Sequence, residues 1–221
     1  PGVTVYGQNL TSYLVVSRGS RLEANGTQAS PLTFTSAQDM QVAASFNQTQ
    51  RAAYTGLAQN DPNTSEWGGI VINGLATINT CNQVGTCEAE GEGDSGLYGG
   101  TNDADNSGTL SYVLVKYAGN PITATDELNG IAFQGVGSGT TIDYLHVHNG
   151  ADDGVEFFGG TVNAKHVIMV NVEADVLCGP YLNQKAIENN VVFSMAYGDQ
   201  PAAICELVDW VRTNGFELVA A

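Results

Sequence analysis

Asp152-Asp153-Gly154-Val155-Glu156 places three carboxylates within five residues. Such a group can do two kinds of work. Hard oxygen ligands take up Ca²⁺, and a pair of carboxylates can run acid/base chemistry at a glycosidic bond. Asp126-Glu127 stands ahead of another Gly-bounded segment, and Glu66 ahead of a third. A further acidic stretch carries Glu88, Glu90, Glu92, Asp94, Asp103 and Asp105. Within it, Asn102-Asp103-Ala104-Asp105-Asn106-Ser107-Gly108 resembles part of a calcium loop, without the glutamate that closes an EF-hand. The candidate Ca²⁺ ligands are therefore Asp126, Glu127, Asp152, Asp153, Asp103 and Asp105. The candidate catalytic carboxylates are Asp152, Asp153 and Glu156. Against both stands turn chemistry, which favours Asp before Gly with no ligand at all.

Other chemistries find less support. His146 and His148 point the same way on one expected strand, with His166 about one coil further on. Three imidazoles on one face can hold a transition metal, but surface histidines near Lys116 and Lys165 are the plainer account. No nucleophile-elbow sequence occurs. Seven Lys+Arg, none clustered, disfavour a polyuronate lyase, which needs cations and a basic residue. No pattern for an organic cofactor is present. The four cysteines pair by position as Cys81 with Cys87 and Cys178 with Cys205, and no histidine stands near enough for a zinc knuckle. Two disulfides fit a secreted protein.

The chain has 221 residues, 23 Asp+Glu and 7 Lys+Arg, for a formal net charge of −16. Such a surface repels phosphate backbones, so nucleic acid is excluded as a partner. No apolar run approaches the roughly 18 residues of a membrane span. Polarity comes from Asn, Thr, Ser and 27 Gly rather than from charge, which suits a β-rich chain with many turns. Pro1 opens on a strand already under way, which reads as a processed or truncated chain.

The elements that would position these residues repeat. Gly69-Ile70-Val71-Ile72-Asn73-Gly74, Gly130-Ile131-Ala132-Phe133-Gln134-Gly135 and Gly154-Val155-Glu156-Phe157-Phe158-Gly159 share one pattern. Thr109–Val115 matches Thr141–Val147, with Thr161–Val167 as a weaker third copy. A period of 20–24 residues with short strands and Gly/Asn turns predicts a right-handed parallel β-helix. The expected β-helix covers 1–175, with long loops at about 36–66 and 79–108 and an insertion near 121–129. Residues 176–221 form a C-terminal segment, in which Asp199–Arg212 reads as a capping or docking α-helix.

Period-2 alternation then sends Ile70/Ile72, Ile131/Phe133, Val155/Phe157, Val113/Val115 and Leu145/Val147 inward. Val71/Ala132/Glu156 and Asn73/Gln134/Phe158 point outward, so Phe158, Gln134 and Asn73 are candidate residues of a glycan or partner surface. The first coil, Val3 to Val16, lacks a visible cap and needs cover from a partner subunit or from its own chain.

Several of these motifs resemble one family. Trp67–Gly74, the Cys81…Cys87-Glu88 loop with Glu90-Gly91-Glu92-Gly93, Gly130–Gly137 and Asn149–Gly160 are similar to secreted or lipid-anchored bacterial proteins with a right-handed parallel β-helix of the pectate-lyase-like class. The likeness covers roughly residues 1–171 and implies the fold, but no reaction. The wider class includes polygalacturonase-type enzymes, whose Asp-Asp pair Asp152-Asp153-Gly154 loosely resembles. The Asn-Thr-Asp, Gly-His-Gly and Arg-Ile-Lys signatures of those enzymes are missing. The resulting expectation is an extracellular or cell-surface structural or adhesive module, contacting glycans or copies of itself, up to a filament. The alternative is a polysaccharide-degrading enzyme using Asp152, Asp153 and Glu156.

Overall fold

Short β-branched and aromatic runs separated by glycines build the chain coil by coil. The computed structural model describes residues 1–40, 65–82, 87–122 and 127–172. The expected Cys178–Cys205 pair, the helix at 199–212, Asp126 and most of the 36–66 loop lie outside the described residues. The strands are β1 (Thr4–Gly7), β2 (Tyr13–Val16), β3 (Leu22–Asn25), β4 (Leu32–Ser36), β5 (Gly69–Asn73), β6 (Ala89–Glu90) and β7 (Leu97–Tyr98). They continue as β8 (Gly108–Lys116), β9 (Asn120–Pro121), β10 (Glu127–Leu128), β11 (Ile131–Gln134), β12 (Thr141–Gly150), β13 (Val155–Phe158) and β14 (Asn163–Val172).

The strands stack in parallel on their counterparts one coil away, as a parallel β-helix requires. One sheet runs β13-β11-β5-β2, and the other β1-β4-β8-β12-β14 with β3 also on β8. The three Gly-bounded segments are in register, Ile70 with Ile131 with Val155. The inward assignment holds. Ile70, Ile72, Ile131, Phe133, Val155 and Phe157 from one sheet meet Val113, Val115, Leu145 and Val147 from the other in a single core. Phe133 and Phe157 stack within it at 5.2 Å.

Two sequence readings need correction. The first is register in the last coil. Tyr144 stacks on His166 and Leu145 pairs with Val167, so Asn163 and not Thr161 lies beside Thr141. The shift is two residues and leaves faces unchanged. What sets the register is a corner: Tyr112, Tyr144 and His166 all take positive φ, 49°, 55° and 49°. Each bends its long strand, and the three rings stack at 4.3 Å. His146 consequently pairs with Ile168, so the three imidazoles do not share one row.

The second concerns the outer face of β5, β11 and β13. Residues 88–98 fold back over it, with β6 and β7 as a small antiparallel ladder. Tyr13 Oη donates to the Gly93 carbonyl at 2.7 Å, and Asn73 Nδ2 to the Ser95 carbonyl at 2.9 Å. Arg18 Nη1 bonds Glu88 at 2.6 Å and the Gly99 carbonyl at 3.0 Å. Val71, Ala132, Asn73 and Gln134 point away from the core, as expected, yet are buried, Asn73 and Gln134 beneath this roof and Val71 and Ala132 against Leu128 of β10.

Glycine is required where coils touch. Gly69 has φ +88°, and a Cβ there would sit 2.1 Å from the Asn129 carbonyl oxygen. Gly69→Ala is expected to cost about 1–2 kcal/mol for the left-handed φ alone. Thermal melting should show a drop of roughly 5 °C; an unchanged midpoint would mean the stacking at this turn is not as tight as described.

Candidate functional site

Glu156 sits on β13 at the ladder position of Ala132 and Val71, where alternation turns it out of the core. Asn129 immediately precedes the tight glycine turn into β11. Its amide Nδ2 donates to Glu156 Oε2 at 2.8 Å and to Glu92 Oε2 at 2.8 Å. The two carboxylate oxygens therefore lie no more than twice that bond length apart. Glu92 comes from the roof, in the 3-10 turn Glu92–Asp94.

Burial, the first cause, pushes Glu156 up from its ordinary value to about 7; Asn129 lowers it and the nearby Asp152 raises it again. Chemically this is a carboxyl that holds its proton near neutrality beside a second carboxylate. Retaining glycosidases use such a pair at about 5–5.5 Å. A hydrolase also needs an open groove for the sugar, and here the chain's own roof covers the adjoining face.

The other predicted residues separate. Asp153 is buried, and its backbone carbonyl accepts the Gly130 N–H at 2.8 Å, while Asp152 is half-buried beside Glu156. Glu127 lies exposed on β10. Asp103 Oδ1 accepts the Thr77 N–H at 2.9 Å, and the bonds from Thr77 hold its carboxyl below the usual range. Asp105 Oδ2 accepts the Leu75 N–H at 3.2 Å and the Ser107 hydroxyl at 3.1 Å. Both carboxylates thus clamp their loop to the extension of β5. No group of three or more His, Cys, Asp or Glu side chains is placed to hold a metal ion among the described residues.

Asn73 and Gln134 cannot form an exposed glycan or partner surface, because the roof buries them to 1% and 0% exposure. Phe158 is half-buried, edge-on to Tyr98 of the roof at 6.3 Å. Cys81 and Cys87 are bridged, closing the loop that leads to the roof.

Sequence reasoning missed two arrangements. Glu92 and Asn129 are 37 residues apart and were not connected to Glu156. The only available signal was that Asn129, Asp153 and Gly68 all precede a Gly-bounded strand. The second is a buried polar cluster on the outer face of β8 and β12. Lys116 Nζ pairs with Asp39 at 2.7 Å, and Asp39 also accepts the Thr35 hydroxyl at 2.8 Å. Ser36 bonds Glu66 and caps the helical turn at 37–40 by accepting the Asp39 N–H at 3.0 Å. His148 and His146 lie beside it; burial, then neighbouring positive charge, depresses both, His146 to about 4. Next to this cluster a cavity of about 630 Å³ is lined by Gln8, Asn9, Thr11, Gln38, Ser65 and Glu66. It lacks the roofed carboxylates.

The family described as pectate-lyase like beta helix domain matches residues 1–178. No curated protein and no solved structure matches the chain.

Proposed function

The chain belongs to the pectate-lyase-like β-helix family, and from that premise we propose that it is a non-catalytic structural or adhesive module, secreted or displayed on a bacterial surface. The family's fold is compatible with both polysaccharide-related and structural roles. The observation that favours the second is the roof. Residues 88–98 cover the outer face at Asn73 and Gln134, and Leu128 of β10 covers it at Val71 and Ala132. A sugar chain finds no groove there. The Cys81–Cys87 bridge suits an oxidising compartment. No helix among the described residues is long and apolar enough to cross a membrane.

In this reading glycan contact belongs to the Tyr112–Tyr144–His166 stack rather than to Asn73 and Gln134. Tyr144 is 41% exposed and Ile168 40%, giving an apolar stripe edged by hydroxyl and imidazole groups. Partners are glycans or further copies of the chain. Ca²⁺ remains a candidate ion for the acidic loops, with Asp126 outside the described residues.

A second reading rests on a specific observation. Glu156 and Glu92 share one amide, and Glu156 titrates near neutrality, as a general acid must. The two readings separate in one experiment: a glycan array with product analysis, with and without Ca²⁺. The module retains glycans through Tyr144 and releases no product. Cleavage that disappears in Glu156→Gln would overturn the proposal in favour of a hydrolase.

A further inference from the structure

Lys116 is the one buried Lys or Arg among the described residues. Its Nζ stands 2.7 Å from Asp39 Oδ2, and only 8% and 5% of the two side chains reach solvent. The carboxyl carbon Cγ is at most one C–O bond length further away. An amine and a carboxyl carbon held at that range are the two halves of an amide. Both are anchored. Lys116 closes β8, and Ser36 Oγ accepts the Asp39 N–H at 3.0 Å, which fixes the turn.

The surroundings favour condensation over the ion pair. In water, hydration stabilises an ionised amine and carboxylate against the neutral amide. Burial removes that hydration and leaves two charges to be desolvated, whereas the amide carries none. The fully buried Tyr117 ring walls the site, 5.2 Å from Nζ. Thr35 Oγ1 donates to Asp39 Oδ2 at 2.8 Å, so the oxygen that must leave already holds a donor. His148 is the ladder neighbour of Lys116. Burial and the Lys116 charge hold its imidazole below the ordinary 6.5, with Asp39 opposing, so a neutral base stands there at physiological pH.

We propose that Lys116 and Asp39 are the site of a self-formed isopeptide bond, joining Nζ to Cγ with loss of one water. One proton moves along the existing hydrogen bond from Nζ to Oδ2, leaving an amine beside a carboxylic acid. The amine lone pair attacks Cγ, and the carbonyl electron pair moves onto Oδ1. His148 takes a second proton from Nζ and passes it to the Oδ2 hydroxyl. The C–Oδ2 bond breaks, water departs and the Oδ1 carbonyl re-forms. No net proton is gained or lost. The bond closes with time in the folded chain, and until then the two groups are the ion pair described above. Unfolding measurements on that pair therefore use the chain before closure. The product ties the turn at 37–40 to β8 across 77 residues of sequence, whichever reading of the function holds.

The test is the intact mass of the 1–221 chain, kept folded until its mass stops changing, then reduced and denatured for spectrometry. The expected mass is lower than that of the sequence by one water. A protease digest should then yield a branched peptide containing both Asp39 and Lys116. Lys116→Arg keeps a cation against Asp39 without the amine, and should hold the full sequence mass. Thr35→Val, read as mass against time in freshly synthesised chain, should close roughly 10-fold more slowly, the effect of one lost hydrogen bond. Three results overturn the proposal: a parent that keeps its full mass, a digest without the branched peptide, or a water loss that persists in Lys116→Arg, which would mark a succinimide elsewhere. The branched peptide is read on the parent itself, so it decides the matter even where the arginine variant fails to fold.

Discussion

Lys116→Met is expected to lower the melting temperature by roughly 10 °C. Lys116 and Asp39 are both nearly inaccessible, with 8% and 5% of their side chains exposed. Removing one partner of such a pair leaves an uncompensated buried charge, at a cost of about 3–5 kcal/mol. Asp39 keeps the Thr35 hydroxyl, which softens the loss without neutralising the carboxylate. Replacing both, Lys116→Met with Asp39→Leu, should recover most of the stability, because the desolvation of two charges disappears together. The diagnostic is therefore a double-mutant cycle in thermal or urea unfolding. If the single variant melts within a few degrees of the parent, the pair does not hold the 37–40 turn against β8. If the double variant is no better than the single, packing rather than charge is responsible.

This pair also marks where the sequence stops being legible. The repeats placed the inward ladders correctly, since Gly-bounded strands with period-2 alternation leave little freedom about which side is the core. The alternation cannot say what lies on the outside. Asn73 and Gln134 look like surface residues because they are polar and point outward. Their burial depends on residues 88–98, a Gly/Glu-rich stretch whose own pattern reads as a solvated loop. Lys116 and Asp39 are separated by 77 residues, and nothing in either neighbourhood marks them as partners. The register error in the last coil has a similar origin. A tyrosine at φ +49° gives no signal of a corner, whereas a glycine would. Thr161 therefore looked like the copy of Thr141, and only the stacked rings show the true alignment.

Glu156→Gln is expected to stabilise the protein by about 2 kcal/mol at pH 8 and to do almost nothing at pH 4. In the folded chain Glu156 titrates at about 7, against an ordinary 4.5. A carboxyl whose folded value is raised binds its proton more tightly in the native state. Its contribution is fully present below 4.5 and is lost as pH rises through about 7. The full shift would be worth about 3 kcal/mol. Glu156 keeps part of its surface in water, and screening trims that to about 2.

His146 runs the other way. Its folded value of about 4 lies below the ordinary 6.5, so its contribution is present above 6.5 and lost as pH falls towards 4. The two slopes oppose each other between 4.5 and 6.5, and Glu156 dominates above that window. Urea unfolding of both chains from pH 4 to 9 checks this. Parallel curves for parent and variant would mean that Glu156 titrates normally and that the Asn129 bridge does not matter. The same variant bears on function, because its two possible outcomes are of opposite kinds. A fold that keeps a carboxyl protonated near neutrality gives up stability at higher pH, and enzymes accept that loss where the proton is used. If Glu156→Gln gains stability and also loses cleavage, the loss has a catalytic reason. If it gains stability and glycan retention is unchanged, the raised value follows from the burial of Glu156 and serves no reaction.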